Sequence, residues 1–267
     1  GISVYDVFAR TQSIVPIYAQ AFWYGKDNDL SFDGFKERID SVGIGANITA
    51  DKTIESQDEL VYDFDMENTE VENDKLILKD NSLNQYDAQA VNAQVEESDT
   101  GSVLRLHGDG YIQMQHSALK WPYTVAFDIT IDENQSGDIT LFEETMPSEK
   151  CNEWINTNYQ TRRIYLKETD NEYQLMYDRD NYHYEHTVVL EKGKTYQLAF
   201  TSDYKYTNVY IKGNKESTLN GPVLTNSGNK WADSASVYLP LQKIGENLDG
   251  TLDNIKVYNR LLTQEEI

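Results

Sequence analysis

The acidic side chains are the first residues in this chain that could do chemistry. There are 45 Asp and Glu against 23 Lys and Arg, a formal charge of −22. Close pairs recur, among them Asp63/Asp65, Glu143/Glu144 and Glu265/Glu266. Glycoside cleavage needs two carboxylates about 5–10 Å apart, or one acid with a substrate acetamido group held by a partner acid. Asp63 and Asp65 stand two apart on an alternating segment and share a face. With so many acids no single pair is informative, and the chain is read as non-catalytic. Calcium, which takes six to eight oxygens, is the better use for them. Asp63, Asp65 and Asp253 are the expected ligands of a structural calcium ion if their strands are neighbours, with Asp80, Asn81 and Asp109 as lesser contributors. The competing reading makes all of them turn acids bonded to backbone amides.

Other chemistries find less support. Cys151 is the only cysteine, which excludes an intrachain disulfide and a cysteine-held zinc or iron–sulfur centre. His183 and His186 are three apart in a strand-like context, which puts them on opposite faces and argues against a shared metal. Glycines occur singly, with no phosphate-cradling loop. The acidic balance argues against nucleic acid and against an anionic membrane surface, and no apolar run is long enough to span a bilayer. Loop aromatics are the stronger hint. A flat Tyr or Trp covers the apolar face of a sugar ring while carboxylates and amides take its hydroxyls. Tyr182 and Tyr184 in Asp178–His186, Tyr204 and Tyr206 in Asp203–Asn208, and Trp154 and Trp231 in Asn-rich turns are the candidate glycan contacts. The competing reading has Tyr182/Tyr184 as same-face packing partners and Trp231 as interdomain core.

The elements that must position these residues fall into two textures. Over residues 1–42 the apolar residues Val4, Val7, Phe8, Ile14, Val15, Tyr18, Phe22 and Trp23 recur at helical spacing, and Ser31 stands as N-cap to a run holding Phe32, Phe35 and Ile39 on one face. Residues 43–57 read as a polar linker entered through Gly43 and Gly45. From 58 to 267 the chain is a succession of short strands with turn formers between them. Leu60–Asp65, Ser102–His107 and Tyr123–Ile131 alternate most cleanly, and Leu252–Tyr258, entered through Gly250-Thr251, closes the series. Strands without a helical crossover rhythm predict a mainly β, two-sheet antiparallel sandwich.

Five pieces in order carry a family resemblance: Tyr62-Asp63-Phe64-Asp65, Leu78-Lys79-Asp80-Asn81-Ser82, the strand–turn–strand Gly101–Ile112, the hairpin Thr207–Gly213, and Gly250–Arg260 with its exit turn Leu262–Ile267. On them residues 60–267 resemble the laminin G-like, concanavalin A-like jelly roll. Hydrolases on that fold carry their acids on one central strand in a Glu-x-Asp-x-x-Glu-like arrangement, which is not found here. Asp6–Arg10, Tyr18–Gly25 and Phe32–Ile39 resemble the terminal helices of the catalytic barrel of glycoside hydrolase family 20, the β-hexosaminidases and lacto-N-biosidases. The two resemblances together imply the C-terminal part of a secreted bacterial exo-glycosidase acting on N-acetylhexosamine-containing glycans, extracellular or at the cell surface, with its catalytic pair upstream of Gly1. The β domain is then expected to be a non-catalytic module partnered by glycan or by the upstream barrel. A purely structural or adhesion module is the alternative, and a small jelly-roll hydrolase the third reading.

Overall fold

In the computed structural model the backbone divides into two compact units, Gly1–Thr53 and Ile54–Ile267. The structure describes residues 54–99, 101–145, 161–179, 182–203, 206–219, 222–225, 230–232 and 239–267, together with Tyr18, Ser31, Asp33 and Gly34. In the first unit Ser31 Oγ accepts the Gly34 N–H at 3.1 Å, the bond an N-cap makes. The rest of the helical segment expected over 1–42 lies outside the described residues.

The second unit is built of strands. They begin β1 (Leu60–Phe64), β2 (Thr69–Glu72), β3 (Lys75–Leu78), β4 (Ala88–Ser98), β5 (Gly101–Gln113), β6 (Ala118–Leu119) and β7 (Tyr123–Ile131). There follow β8 (Ile139–Thr145), β9 (Thr161–Thr169), β10 (Glu172–Arg179), β11 (Tyr182–Glu191), β12 (Lys194–Ser202) and β13 (Thr207–Ile211). The last are β14 (Asn214–Leu219), β15 (Pro222–Thr225), β16 (Lys230–Ala232), β17 (Leu239–Pro240), β18 (Lys243–Glu246) and β19 (Gly250–Tyr258). One layer runs β1-β19-β7-β12-β13-β14. The other runs β2-β3-β4-β5-β18-β8-β9-β10-β11-β15-β16. These pairings are all antiparallel, and the fold is the expected β sandwich of jelly-roll type.

β19 ties the layers together. It pairs with β7 along most of its length and with β5 through Gly250, Thr251 and Leu252. Gly250 is obligatory there, because a Cβ would lie 2.0 Å from the Thr130 carbonyl oxygen. The imperfect alternation of this strand has a physical cause. Its register slips between Asp253 and Lys256, and Asn254 takes a left-handed φ of 51°, a conformation Asn tolerates. The extra residue lets Leu252 and Ile255, three apart, both face the core.

The core lies between the layers. Ile112, Ile244, Phe142, Ile164 and Tyr177 are register partners in turn across β5, β18, β8, β9 and β10, and none is more than 1% exposed. From the facing layer Phe127 meets Phe142 edge-on at 5.3 Å between centroids, and Phe200 meets both Phe142 and Tyr177 at 6.4 Å. At the connection after β3, the buried Asp80 carboxylate accepts four bonds. Its donors are the backbone N–H groups of Asp63, Ser82 and Tyr86 and the Ser82 hydroxyl, at 2.7–2.9 Å. Asp80 is thus a turn organiser with no oxygen left open for a metal.

His186 on β11 lies beneath the Tyr177 ring, with centroids 5.4 Å apart. Its Nδ1 is 3.0 Å from Ser217 Oγ, and its Nε2 is buried without a hydrogen-bond partner. Burial lowers its pKa to about 4. The unfolded chain therefore binds the proton first, so stability is full above pH 6.5 and falls as pH drops toward 4, by about 3 kcal/mol in all. Denaturant curves at pH 7 and pH 4 should show the stability gap between wild type and His186→Asn narrowing by that order in acid. A gap that does not change with pH contradicts the assignment.

Candidate functional site

Alternation along a strand dictates what stands on the opposite face of the layer. One residue beyond each core partner the register runs Gln113 (β5), Lys243 (β18), Glu143 (β8), Arg163 (β9), Asp178 (β10). Because paired residues share a face, these five side chains form one row across five strands, pointing away from the core. The row carries amide, cation, carboxylate, cation and carboxylate in turn. None of the five is fully exposed, and Asp178 is buried.

Two tyrosines on the same face hold the cations. Lys243 Nζ stands 4.7 Å from the Tyr111 ring centroid and 2.5 Å from Glu246 Oε1. The Arg163 guanidinium carbon lies 3.8 Å from the Tyr165 centroid, and its Nε donates to Asp178 Oδ2 at 2.8 Å. Stacking and the Nε bond together fix the plane of the guanidinium. Nη1 and Nη2 make no bond among the described residues, so the outer fork is set but unspent.

The electrostatics follow from half-burial. Burial raises the Glu143 pKa and Glu246 adds to it, while Lys243, the Thr145 hydroxyl and Arg163 pull the other way. For Lys243 burial opposes the charge, and contact with Glu246 outweighs it, so its pKa is raised. Arg163 behaves likewise through Asp178. Burial, and next the Asp178 charge, push the Tyr165 hydroxyl up to about 12, which keeps it a neutral donor. Glu143 and Asp178 are two strands apart, about 10 Å at the usual spacing, and Arg163 stands between them. The space a scissile bond would need is filled by a cation.

The residues singled out from sequence are scattered by comparison. β1 and β19 are neighbours, as the calcium expectation required. The three acids nevertheless do different things. Asp63 Oδ1 lies 3.9 Å from Lys256 Nζ; burial raises its pKa and Lys256 counters. Asp65 Oδ1 accepts the Glu67 and Asn68 N–H groups at 3.0 and 3.3 Å, as a turn cap does. Asp253 accepts the Asn254 N–H at 2.7 Å and its Nδ2 at 3.1 Å. Burial raises the Asp253 pKa to about 6, with Asp128, Glu67 and Asp65 contributing. Among the described residues no three acidic, His or Cys side chains are grouped to hold a metal ion.

Of the aromatic candidates, Tyr206 is 47% exposed at the β12–β13 turn, where Asp203 Oδ1 accepts its N–H at 2.7 Å. Tyr184 requires a correction. It is 2% exposed and packs in the core, because it is the register partner of Tyr177 in the inward row. Tyr182 pairs with Arg179, and Trp231 with Val223, in the backbone register. Tyr204, Trp154 and Cys151 lie outside the described residues. Sequence reasoning did not single out Lys243, Arg163, Asp178 or Tyr111 as site residues. The alternating runs Tyr111–Gln113 and Arg163–Leu166 announce outward polar positions, but not which strands lie side by side.

Among the described residues no helix is long and apolar enough to cross a membrane. None of the curated proteins compared matches the chain. Among solved structures, domain 4 of AbnA, a GH43 extracellular arabinanase from Geobacillus stearothermophilus in complex with arabinotriose, aligns at 17% identity and a TM-score of 0.51, over 78% of this chain and 96% of that one. Trypanosoma rangeli sialidase in complex with sialic acid aligns at 16% identity and a TM-score of 0.46 over 78% of this chain, which spans 32% of the sialidase. The carbohydrate-binding module CBM66 from Bacillus subtilis aligns at 12% identity and a TM-score of 0.37, over 64% of this chain and 94% of that one. Residues 106–267 match the Laminin_G_3 model of the concanavalin A-like lectin/glucanases superfamily. That match takes in most of the sandwich, and the chain belongs to this superfamily.

Proposed function

We propose that residues 54–267 form a non-catalytic glycan-binding module whose ligand lies on the outward row of β5, β18, β8, β9 and β10. The observation that carries this is the pair of ring-clamped cations, Lys243 on Tyr111 and Arg163 on Tyr165, alternating with Glu143 and Asp178. A sugar hydroxyl both donates and accepts, so a fixed alternation of donors and acceptors suits a run of hydroxyls. Paired cations and carboxylates with no open gap between two acids favour binding over hydrolysis. The fold is shared with a domain solved with arabinotriose, which makes neutral sugars the first ligands to try. The module would serve a secreted, extracellular bacterial exo-glycosidase of family 20 type acting on N-acetylhexosamine-containing glycans, with residues 1–42 as the tail of its barrel and 43–57 as the linker.

The structural reading has one observation in its favour. Tyr62, Tyr123, Tyr173, Tyr177 and Tyr184 are all buried in the sandwich, leaving fewer rings for a sugar than the tyrosine count suggests. An immobilised-glycan screen of the full chain separates the two. Arg163→Gln and Lys243→Met should each weaken binding at least about tenfold, the loss of a hydrogen bond from a charged donor, with melting temperatures followed in parallel. Binding that both variants leave intact would move the site elsewhere, and Tyr206→Ala would then show whether the β12–β13 turn holds it. Absence of binding to any glycan would favour the buttress.

Calcium is part of the same proposal, at Asp63, Asp65 and Asp253, which the neighbouring strands β1 and β19 bring to one edge. Burial and, after it, the charges of Asp128, Glu67 and Asp65 raise the Asp253 pKa, which a cation would relieve, with main-chain carbonyls needed to complete its shell. Calcium should raise the melting temperature at pH 7, and Asp253→Asn should abolish the rise. A transition indifferent to calcium would leave Asp253 a turn acid.

A further inference from the structure

We infer that the ligand of this face is a neutral, extended oligosaccharide lying across the strands, rather than a single terminal sugar or a charged glycan. The inference rests on the glycan-binding reading above and adds the ligand's length and charge.

Length comes from the register. Gln113, Lys243, Glu143, Arg163 and Asp178 follow one another without a break. Four inter-strand steps at about 4.8 Å make a row of about 19 Å. That is several sugar rings, far more than one terminal residue occupies. Bonding capacity is left along the row and not gathered at one point. At one end Gln113 spends its amide nitrogen on the Met114 and Gln242 carbonyls, and its Oε1 accepts nothing among the described residues. Toward the other end Arg163 keeps both terminal nitrogens.

Charge comes from the pairing. Lys243 is matched by Glu246 and Arg163 by Asp178, which leaves Glu143 over, so these five charged groups sum formally to 2 − 3 = −1. A carboxylated sugar would meet an acid beside each cation, within a chain of net charge −22. Neutral hydroxyls meet no such penalty.

Calorimetric titration of the full chain with arabino-, galacto- and gluco-oligosaccharides, from the monosaccharide upward, reads both properties. In at least one series affinity should rise about tenfold or more with added rings and then level off. The corresponding uronate oligomers should bind at least about tenfold more weakly. Lys243→Met, which removes the donor near one end, should weaken the longest ligand at least about tenfold more than the shortest. Equal affinity at all lengths, preference for the uronates, or a Lys243→Met loss that is the same at every length would each overturn the inference while sparing the glycan-binding reading. No binding by any sugar, neutral or charged, would remove that reading and this inference with it.

Discussion

The packing of Phe142 between Phe127 and Phe200 is the contact on which the rest of this domain depends. It sets one face of β8 against the opposite layer, and a strand has only two faces. Ile244 and Ile164, the register partners of Phe142, are drawn into the same buried row, and Ile112 and Tyr177 follow at its ends. A slip of one residue in any of these strands would turn its core side chain out to the opposite face. The outward row is therefore a consequence of the core. Glu143 sits between Lys243 and Arg163 because Phe142 sits between Ile244 and Ile164.

Such a row would be costly if its charges were left to themselves in half-buried positions. Each cation has two supports, a carboxylate and a ring face. Each of the two tyrosines comes from two residues along a strand that also contributes to the row, so the geometry needs no special loop. This rigidity distinguishes the sheet face from the β12–β13 turn, where Tyr206 is accessible and only its backbone is held, by Ser202 and Asp203. It also distinguishes it from the acidic neighbourhood of Asp253, where like charges are gathered without a matching cation.

Much of the fold was legible in the sequence. Tyr123–Ile131 alternates as a strand with one buried face must, and it lies at the centre of its layer between β19 and β12. Leu252–Tyr258 read as a strand despite broken alternation, and the bulge at Asn254 explains the break. The candidate site was far less legible. Lys243 stands beside Gln113 and Glu143, more than a hundred residues and a hundred residues away in sequence, and nothing local in Lys243-Ile244-Gly245 reports that. The same ignorance of register made Tyr184 look like a loop aromatic, when pairing with Tyr177 turns it inward. The partners of the acids were equally hidden: Asp65 caps the Glu67 and Asn68 amides, and Asp253 that of Asn254.

The most direct test of the proposed glycan-binding face is to watch the backbone while a ligand binds. Amide chemical-shift mapping of the full chain, titrated with a neutral oligosaccharide that binds it, locates the contact without any mutation. Perturbations concentrated at Gln113, Lys243, Glu143, Arg163 and Asp178, on five strands far apart in sequence, are the predicted result. Perturbations confined to the Asp203–Thr207 turn or to the β1–β19 edge, with the row unchanged, would contradict it.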